Sequence, residues 1–417
     1  MATDTTSGLA GMLDPWQWLR AADDTWRWLA LSWDIRAYDS AGAPARETIR
    51  RRRWMQMVEH ARLASAFYRE HYGPEPRACS ELTAYPPVTR RMLMERFDDW
   101  VTDPRLKLAE LSGFVADPGR IADPYLDTYT VWTSSGTTGV PGIYVQDAGA
   151  LAVYQALVTS RFDFGGDSDA VPVAPGTIRC AFLAAIDGHF AGIVSWERQR
   201  RLYPVLAPMT RAFSILQPLP ELIAQLNEWR PSFISSYPTM LSVLAAERRA
   251  GRLAFSPRGL WCGGEGLAPS ERADIEAAFA CRIVEDYGAS ECMNMAFGCR
   301  HGRLHLNDDW VVLEPVDEQY RPVPAGEPSA TVLVTNPANR VQPLIRYDLG
   351  DSGCFDPTAC ACGCDRPSLR VVGRGDDVLV LEAASVGERG APGPRDGATI
   401  RILPLAVETV LEEAGIV

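Results

Sequence analysis

The stretch Val131-Trp-Thr-Ser-Ser-Gly-Thr-Thr-Gly-Val-Pro141 constrains this chain more than any other. Before it runs Thr128-Tyr-Thr-Val-Trp132, β-branched and aromatic, which reads as a strand; Gly142-Ile-Tyr-Val-Gln146 reads as a second. Thr133 to Gly139 is then a hairpin-like loop of hydroxyls and glycines. Glycines let backbone N–H groups approach a ligand and hydroxyls donate further hydrogen bonds, so such a loop suits polyphosphate. It is not a Walker loop, because no Gly-Lys-Ser/Thr follows and no helix opens behind it. Most Ser/Thr/Gly runs are plain loops. The rest of the chain has to decide.

At 417 residues the chain can bury a large core and divide into two or three units. Its 53 acidic against 41 basic residues give a net charge of −12, which argues against nucleic acid as the main partner. The basic run Arg50 to Arg53 sits inside the amphipathic stretch Glu47–Arg69 and reads as a solvated helix face. No apolar stretch is long enough to span a bilayer. The N-terminus lacks a basic leader followed by an apolar segment, which predicts a cytoplasmic protein. There the ten cysteines are expected to be free or metal-bound.

Taken in order, Asp14 to Trp33 carries Trp16, Trp18, Trp26, Trp28 and Trp33. Leu19, Trp26, Ala30 and Trp33 fall near helical spacing and predict one broad apolar face, docked on the protein's own body or, less simply, on a partner or membrane. Tyr38 to Ala45 reads as a linker, closing a Trp-rich segment over 1–45. Arg46 to Tyr72 reads as one long helix. Helix and strand patterns alternate from about Ala150 to Arg300, which predicts a layered βα domain. Shorter, strand-like runs from Leu304 to Val372 predict a small β-rich subdomain. The expected fold class is α/β: a large domain over 46–375 with its β-rich part at 304–372, then 376–417 as the beginning of a small C-terminal domain. That last piece holds a Gly/Pro-rich loop and a closing strand and helix from Ile400 to Glu413.

Four stretches behind the loop carry chemistry. In Leu260-Trp-Cys-Gly-Gly-Glu-Gly-Leu267, consecutive glycines after a strand let a flat ring lie against bare backbone. Asp286-Tyr-Gly-Ala-Ser-Glu291 ends on a carboxylate suited to the magnesium that accompanies ATP. In Ile345-Arg-Tyr-Asp-Leu-Gly-Asp351 a carboxylate can accept from ribose hydroxyls. Val372-Gly-Arg-Gly-Asp-Asp377 offers a guanidinium for phosphate or ribose. Each is common alone, and an ordinary turn or strand end is the bland reading of each. Their fixed order behind the loop is not common.

In that order the stretches resemble the adenylate-forming superfamily of acyl-CoA synthetases and adenylation domains. Ser65-Ala-Phe-Tyr-Arg-Glu and Pro87-Val-Thr-Arg upstream resemble its phenylacetate-CoA-ligase-like branch. The resemblance runs from about Ser65 to the end. It implies that Ser134, Ser135, Gly136, Thr137, Thr138 and Gly139 grip ATP phosphates. Gly264, Glu265 and Gly266 would line adenine with Asp286 beside them and Tyr287 stacking on it. Glu291 would hold magnesium, Asp351 the ribose, and Arg374 ribose or phosphate, with Asp376 the hinge of the small domain. His189, within Asp187-Gly-His-Phe190, would sit beside the carboxylate to be activated. Tyr237, Gly263, Gly288 and Ala289 would line the acyl pocket. The implied activity is adenylation of a carboxylic acid, aromatic by the nearest branch, followed by transfer to coenzyme A. An amine or a carrier-protein thiol is the alternative acceptor, and a nucleotide-binding pseudoenzyme the alternative class.

Three departures matter. The loop reads Gly139-Val-Pro-Gly142, without the lysine usual beside its proline, and Ser290 stands where the family often has Thr. The lysine that the family's small domain carries has no counterpart here, Lys107 lying far upstream. Either that domain continues past Val417 or the lysine is absent by nature.

Cys299, His301, His305, Cys360, Cys362 and Cys364 form a second constellation. Thiols and imidazoles in this number suit a closed four-coordinate zinc site; buried small thiols are the bland alternative. The Cys-x-Cys-Gly pattern resembles a zinc-binding insert of some phenylacetate-CoA-ligase-like proteins. That implies Cys299, His305, Cys360 and Cys362 as ligands of a structural zinc.

Overall fold

The computed structural model describes residues 15–73, 81–134, 142–162, 178–374, 379–382 and 399–402. Helix α1 (Pro15–Ser40) leads after only Ala41 and Gly42 into α2 (Ala43–Ala64). The linker expected over Tyr38–Ala45 is therefore a tight turn. Tyr38 is buried, its hydroxyl donating to Asp308 at 3.0 Å. The single helix expected from Arg46 to Tyr72 breaks at Ser65. This residue is extended and its hydroxyl accepts from the Tyr68 N–H, so it ends α2 and caps α3 (Ala66–Tyr72). Thr89 caps α4 (Arg90–Glu95) in the same way, and α5 (Phe97–Trp100) and α6 (Leu108–Val115) follow.

Strands β1 (Thr130–Thr133) and β2 (Ile143–Gln146) pair antiparallel, Trp132 opposite Tyr144, as the hairpin reading expects. Asp147 caps α7 (Ala148–Arg161). Strand and helix then alternate through β3 (Cys180–Ala184), α8 (Ala191–Leu202), β4 (Thr210–Ser214), α9 (Leu219–Trp229), β5 (Phe233–Ser236), α10 (Pro238–Arg249), β6 (Gly259–Gly263), α11 (Pro269–Phe279) and β7 (Ile283–Tyr287). Strands parallel to one another need such crossover helices. Short strands β8 (Ala296–Gly298) and β9 (Leu304–Leu306) precede β10 (Val312–Val316), β11 (Thr331–Asn336) and β12 (Leu344–Asp348). Last come β13 (Asp351–Phe355), β14 (Ser368–Arg374) and a separate hairpin of β15 (Leu379–Glu382) with β16 (Thr399–Ile402).

The main sheet has nine strands in the order β13-β14-β9-β8-β7-β6-β5-β3-β4, parallel from β7 to β4 and antiparallel beyond β7. The stretch read as a β-rich subdomain is thus divided. Strands β10 to β12 form their own antiparallel sheet, whereas β9, β13 and β14 extend the main one. One core cluster gathers Tyr68, Phe97, Trp100, Trp132, Tyr144 and Tyr347 around the hairpin; another packs α9 to α11 on the parallel strands through Leu226, Leu241, Phe279, Ile234 and Leu260. The fold is α/β. No described helix is long and apolar enough to cross a membrane.

Candidate active site

The β1–β2 hairpin is pinned from three sides. The Thr133 N–H donates to the His189 carbonyl at 2.7 Å and the Trp132 indole N–H to the Ser290 carbonyl at 2.8 Å. On the outer edge of β2, the buried amides of Gln342 and Asn339 take the place of a further strand. Gln342 accepts from the Val145 N–H at 2.7 Å and donates to the Ile143 carbonyl at 3.0 Å, and Asn339 donates to the Val145 carbonyl at 2.9 Å. Ser134 closes the base of the loop, its hydroxyl accepting from the Gly142 N–H at 2.9 Å. Ser135, Gly136, Thr137, Thr138 and Gly139 lie outside the described residues.

Glu291 is buried and accepts three bonds on one oxygen, Oε1: from Tyr144 at 2.7 Å, Arg90 at 2.8 Å and Tyr347 at 2.9 Å. Burial, then the Glu291 charge, holds both phenols protonated well above their ordinary range. Tyr144 reaches Glu291 across Gly142, where an added Cβ would stand 2.5 Å from the phenol oxygen. Arg90, Tyr144 and Tyr347 are partners that motif reading misses. Arg90 ends the Pro87-Val-Thr-Arg stretch and is the first helical residue after the Thr89 cap.

Asp286 ends β7 opposite Gly263 at the end of β6. It is partly buried, and desolvation pushes its carboxyl up to about 7; Asn294 opposes this by donating to Oδ2 at 3.0 Å. Oδ1 has no hydrogen-bond partner among the described residues. Tyr287, next along the strand, donates from its hydroxyl to Asp351 at 2.8 Å, which joins two of the motif stretches directly. Asp351 in turn stands opposite Arg374 where β13 pairs with β14. Gly288 and Ala289 open the turn after β7, the Ala289 N–H donating to the Cys292 carbonyl at 2.9 Å.

Gly264 has a φ of +83°, a left-handed conformation, and an added Cβ would stand 3.3 Å from the Tyr237 ring. Backbone and ring therefore face each other without a side chain between them. The Glu265 carboxylate is committed elsewhere, accepting from the Thr239 hydroxyl at 2.7 Å and its N–H at 3.2 Å at the start of α10. Gly266 lies in the same turn before α11. His189 is buried against the Phe114 ring, their centroids 5.4 Å apart, and neither ring nitrogen has a hydrogen-bond partner among the described residues. Burial lowers its pKa below the usual 6.5, so the ring is neutral near pH 7. Asp376 lies outside the described residues.

Cys299, His305, Cys360 and Cys362 converge, their ligand atoms all within 4.8 Å of one another. The Cys299 and Cys360 sulfurs are 3.7 Å apart, and the Cys362 sulfur is 3.2 Å from His305 Nε2. A tetrahedron with Zn–S bonds of about 2.3 Å has sulfur–sulfur edges of about 3.8 Å, so the donor set fits that metal. His305 Nδ1 faces the Arg366 carbonyl at 3.3 Å, which orients the ring as a second layer does in metal sites. The backbone N–H groups of His301 and Cys364 point at the Cys299 and Cys362 sulfurs, each at 3.4 Å.

The motif stretches thus gather at the ends of the parallel strands β6 and β7 and around the β1–β2 hairpin. Among solved structures the chain is similar to 2-hydroxyisobutyryl-CoA ligase. The open conformation with 2-HIB-AMP and CoA matches at a TM-score of 0.65 and 19% identity, over 90% of this chain and 82% of that one. Its postadenylation state matches at 0.66 and 20%, over 90% and 74%. The likeness is one of fold: the chain shares the fold of these ligase structures. By sequence it is similar to Protein CapK of Staphylococcus aureus, 27% identical over 132 residues, which is 31% of this chain and 28% of that protein. No protein-family model matches.

Proposed function

We propose that the protein joins ATP to a carboxylic acid, giving an acyl-adenylate and pyrophosphate, and passes the acyl group to coenzyme A. The observation that carries this reading is the convergence of separate motif stretches: Tyr287 bonded to Asp351, Asp286 beside Gly263, Gly264 bare against Tyr237, and Glu291 tied to the hairpin through Tyr144. Ribose falls to Asp351, adenine to the Gly264–Gly266 turn, and phosphates to the 134–139 loop. Arg90 neutralises Glu291 from one side, and we assign the other carboxylate oxygen to magnesium. That ion would offset phosphate charge. Neutral His189 and Tyr237 are assigned to the acid, for which the resemblance implies an aromatic class. Holding the acid in line with the α-phosphate is then mostly a matter of position and electrostatics. Zinc at Cys299, His305, Cys360 and Cys362 would be structural, since four protein ligands leave no open position.

ATP–pyrophosphate exchange across a panel of carboxylic acids tests the reading. Exchange is expected with at least one acid. Asp351→Asn should reduce it roughly ten- to hundredfold, the worth of about 1.5–3 kcal/mol for hydrogen bonds to a charged group. ATP binding without exchange for any acid would favour a nucleotide-binding relic. Undiminished exchange in a folded Asp351→Asn variant would remove the ribose assignment.

A further inference from the structure

Helix α1 buries a mixed face, and its apolar face is left uncovered by the described residues. Inward, Asp24, Ile35 and Tyr38 are buried; Thr25 bonds to Tyr203, and the Trp28 indole donates to Thr159 on α7. At 100° per residue, Leu19, Ala22, Trp26, Leu29, Ala30, Trp33 and Ala37 fall on the opposite side. Leu19, Trp26 and Trp33 repeat every seven residues, with Ala22 and Leu29 three residues after the first two. This is the spacing of a helix-pairing seam. It faces solvent: Trp26 is 72% exposed, Trp33 70% and Leu19 61%.

We infer that this face of α1 is the two-fold interface of a homodimer, each copy laying Leu19, Trp26 and Trp33 on the same seam of the other. A tryptophan carries up to about 250 Å², so the exposed parts of the Trp26 and Trp33 rings alone present roughly 350 Å². The leucines and alanines bring the seam towards the ~800 Å² per partner of a standard interface. The seam is also self-complementary, as a two-fold contact requires. An antiparallel crossing at Trp26 sets Trp26 on its symmetry mate, Ala22 over Ala30, and Trp33 over Leu19, so bulky residues meet at the centre and ends and small ones between. The flanks carry both signs, Arg20, Asp23, Arg27, Asp34 and Arg36, on a chain of net charge −12. An anionic bilayer selects a cationic helix flank. A second copy tolerates mixed charge.

Sedimentation velocity on the full chain over a dilution series, with and without Trp26→Glu and Trp33→Glu, tests this. The wild type is expected at twice the mass of one chain and the double variant at one, with circular dichroism unchanged because both rings are exposed on the single chain, and with the concentration dependence of the wild type's melting temperature lost. Trp26→Cys should cross-link to itself on mild oxidation, beyond any cross-linking in the wild type, since a two-fold crossing puts that position next to its mate. A wild type that stays monomeric overturns the inference. So does a dimer unaffected by the double variant, or a monomer that floats with phosphatidylserine vesicles and is released by the same substitutions.

Discussion

Burial raises the pKa of both carboxyls at the end of β7, that of Glu285, which pairs with Arg272, and that of Asp286. Desolvation raises the Asp286 pKa from 3.8 to about 7, with Asn294 supplying a partial opposing bond. A carboxyl raised in the folded state contributes fully only below its unfolded pKa, and the contribution is lost as pH rises through the folded one. Wild-type stability relative to Asp286→Asn should therefore fall between about pH 4 and 7 and level off above that. At the plateau the variant should be more stable by an amount on the order of a few kcal/mol. Melting curves of the pair across this range check it, and a pH-independent difference refutes it. At this scale the sequence reveals one member of each contact more readily than the pair. Glu291 and Asp351 stand in recognisable stretches, but Arg90 and Tyr144 reach Glu291 from 201 and 147 residues away. No local pattern encodes that distance. Glu265 shows the converse, a motif carboxylate that caps a neighbouring helix.

Among the elements, the hairpin and the alternating βα run are legible because alternation and helical period are local signals. Two errors share one cause, hydroxyl caps and tight turns within polar sequence: Ser65 breaks a helix that periodicity alone would continue, and Gly42 with Pro44 restarts one where a linker was expected. The apolar face of α1 was located correctly, but the helix docks by its other side, which carries Asp24 and Tyr38 as well as Ile35. A buried polar face has no periodic signature. The thiol–imidazole cluster joins the β8–β9 turn to the loop before β14, so metal binding there would become folding energy for this end of the sheet. Purified protein is expected to hold one zinc per chain. Cys360→Ser, or strong chelation, should remove it and lower the melting temperature, at a cost of several kcal/mol. Cys180→Ser, on β3 four strands from β8, should change neither. Elemental analysis without stoichiometric zinc, or metal loss without a stability change, would refute the assignment.

At the scale of the whole molecule, a buried ionic network that no motif announces fastens the N-terminal helices to the body. Arg161, at the end of α7, donates to Asp309 at 2.7 and 2.8 Å, to Asn307 at 2.6 Å and to Asp39 at 3.2 Å. Arg366 bonds Asp308 and Asp39, and Arg53 donates to the Asp309 carbonyl at 2.8 Å. The network thus joins α1, α2, α7, the turn between β9 and β10, and the segment after the cysteine loop. In sequence Asn307-Asp-Asp309 is only a polar turn. Burial alone would raise the Asp309 pKa; Arg161, Arg366 and Arg53 outweigh it and leave the group below its ordinary 3.8. Its contribution is therefore present above that value and lost as pH falls. Arg161→Ala leaves Asp309 charged, buried and short of its main partner, which should cost about 3–5 kcal/mol. Asp309→Asn in the Arg161→Ala background should recover much of that loss, because the uncompensated charge is what the single variant retains. Urea unfolding of the two variants measures both, and added salt should help neither, since buried pairs are weakly screened. If the second substitution instead deepens the loss, the network acts through shape and hydrogen-bond count rather than charge, and the electrostatic account of how α1 is fastened to the body fails.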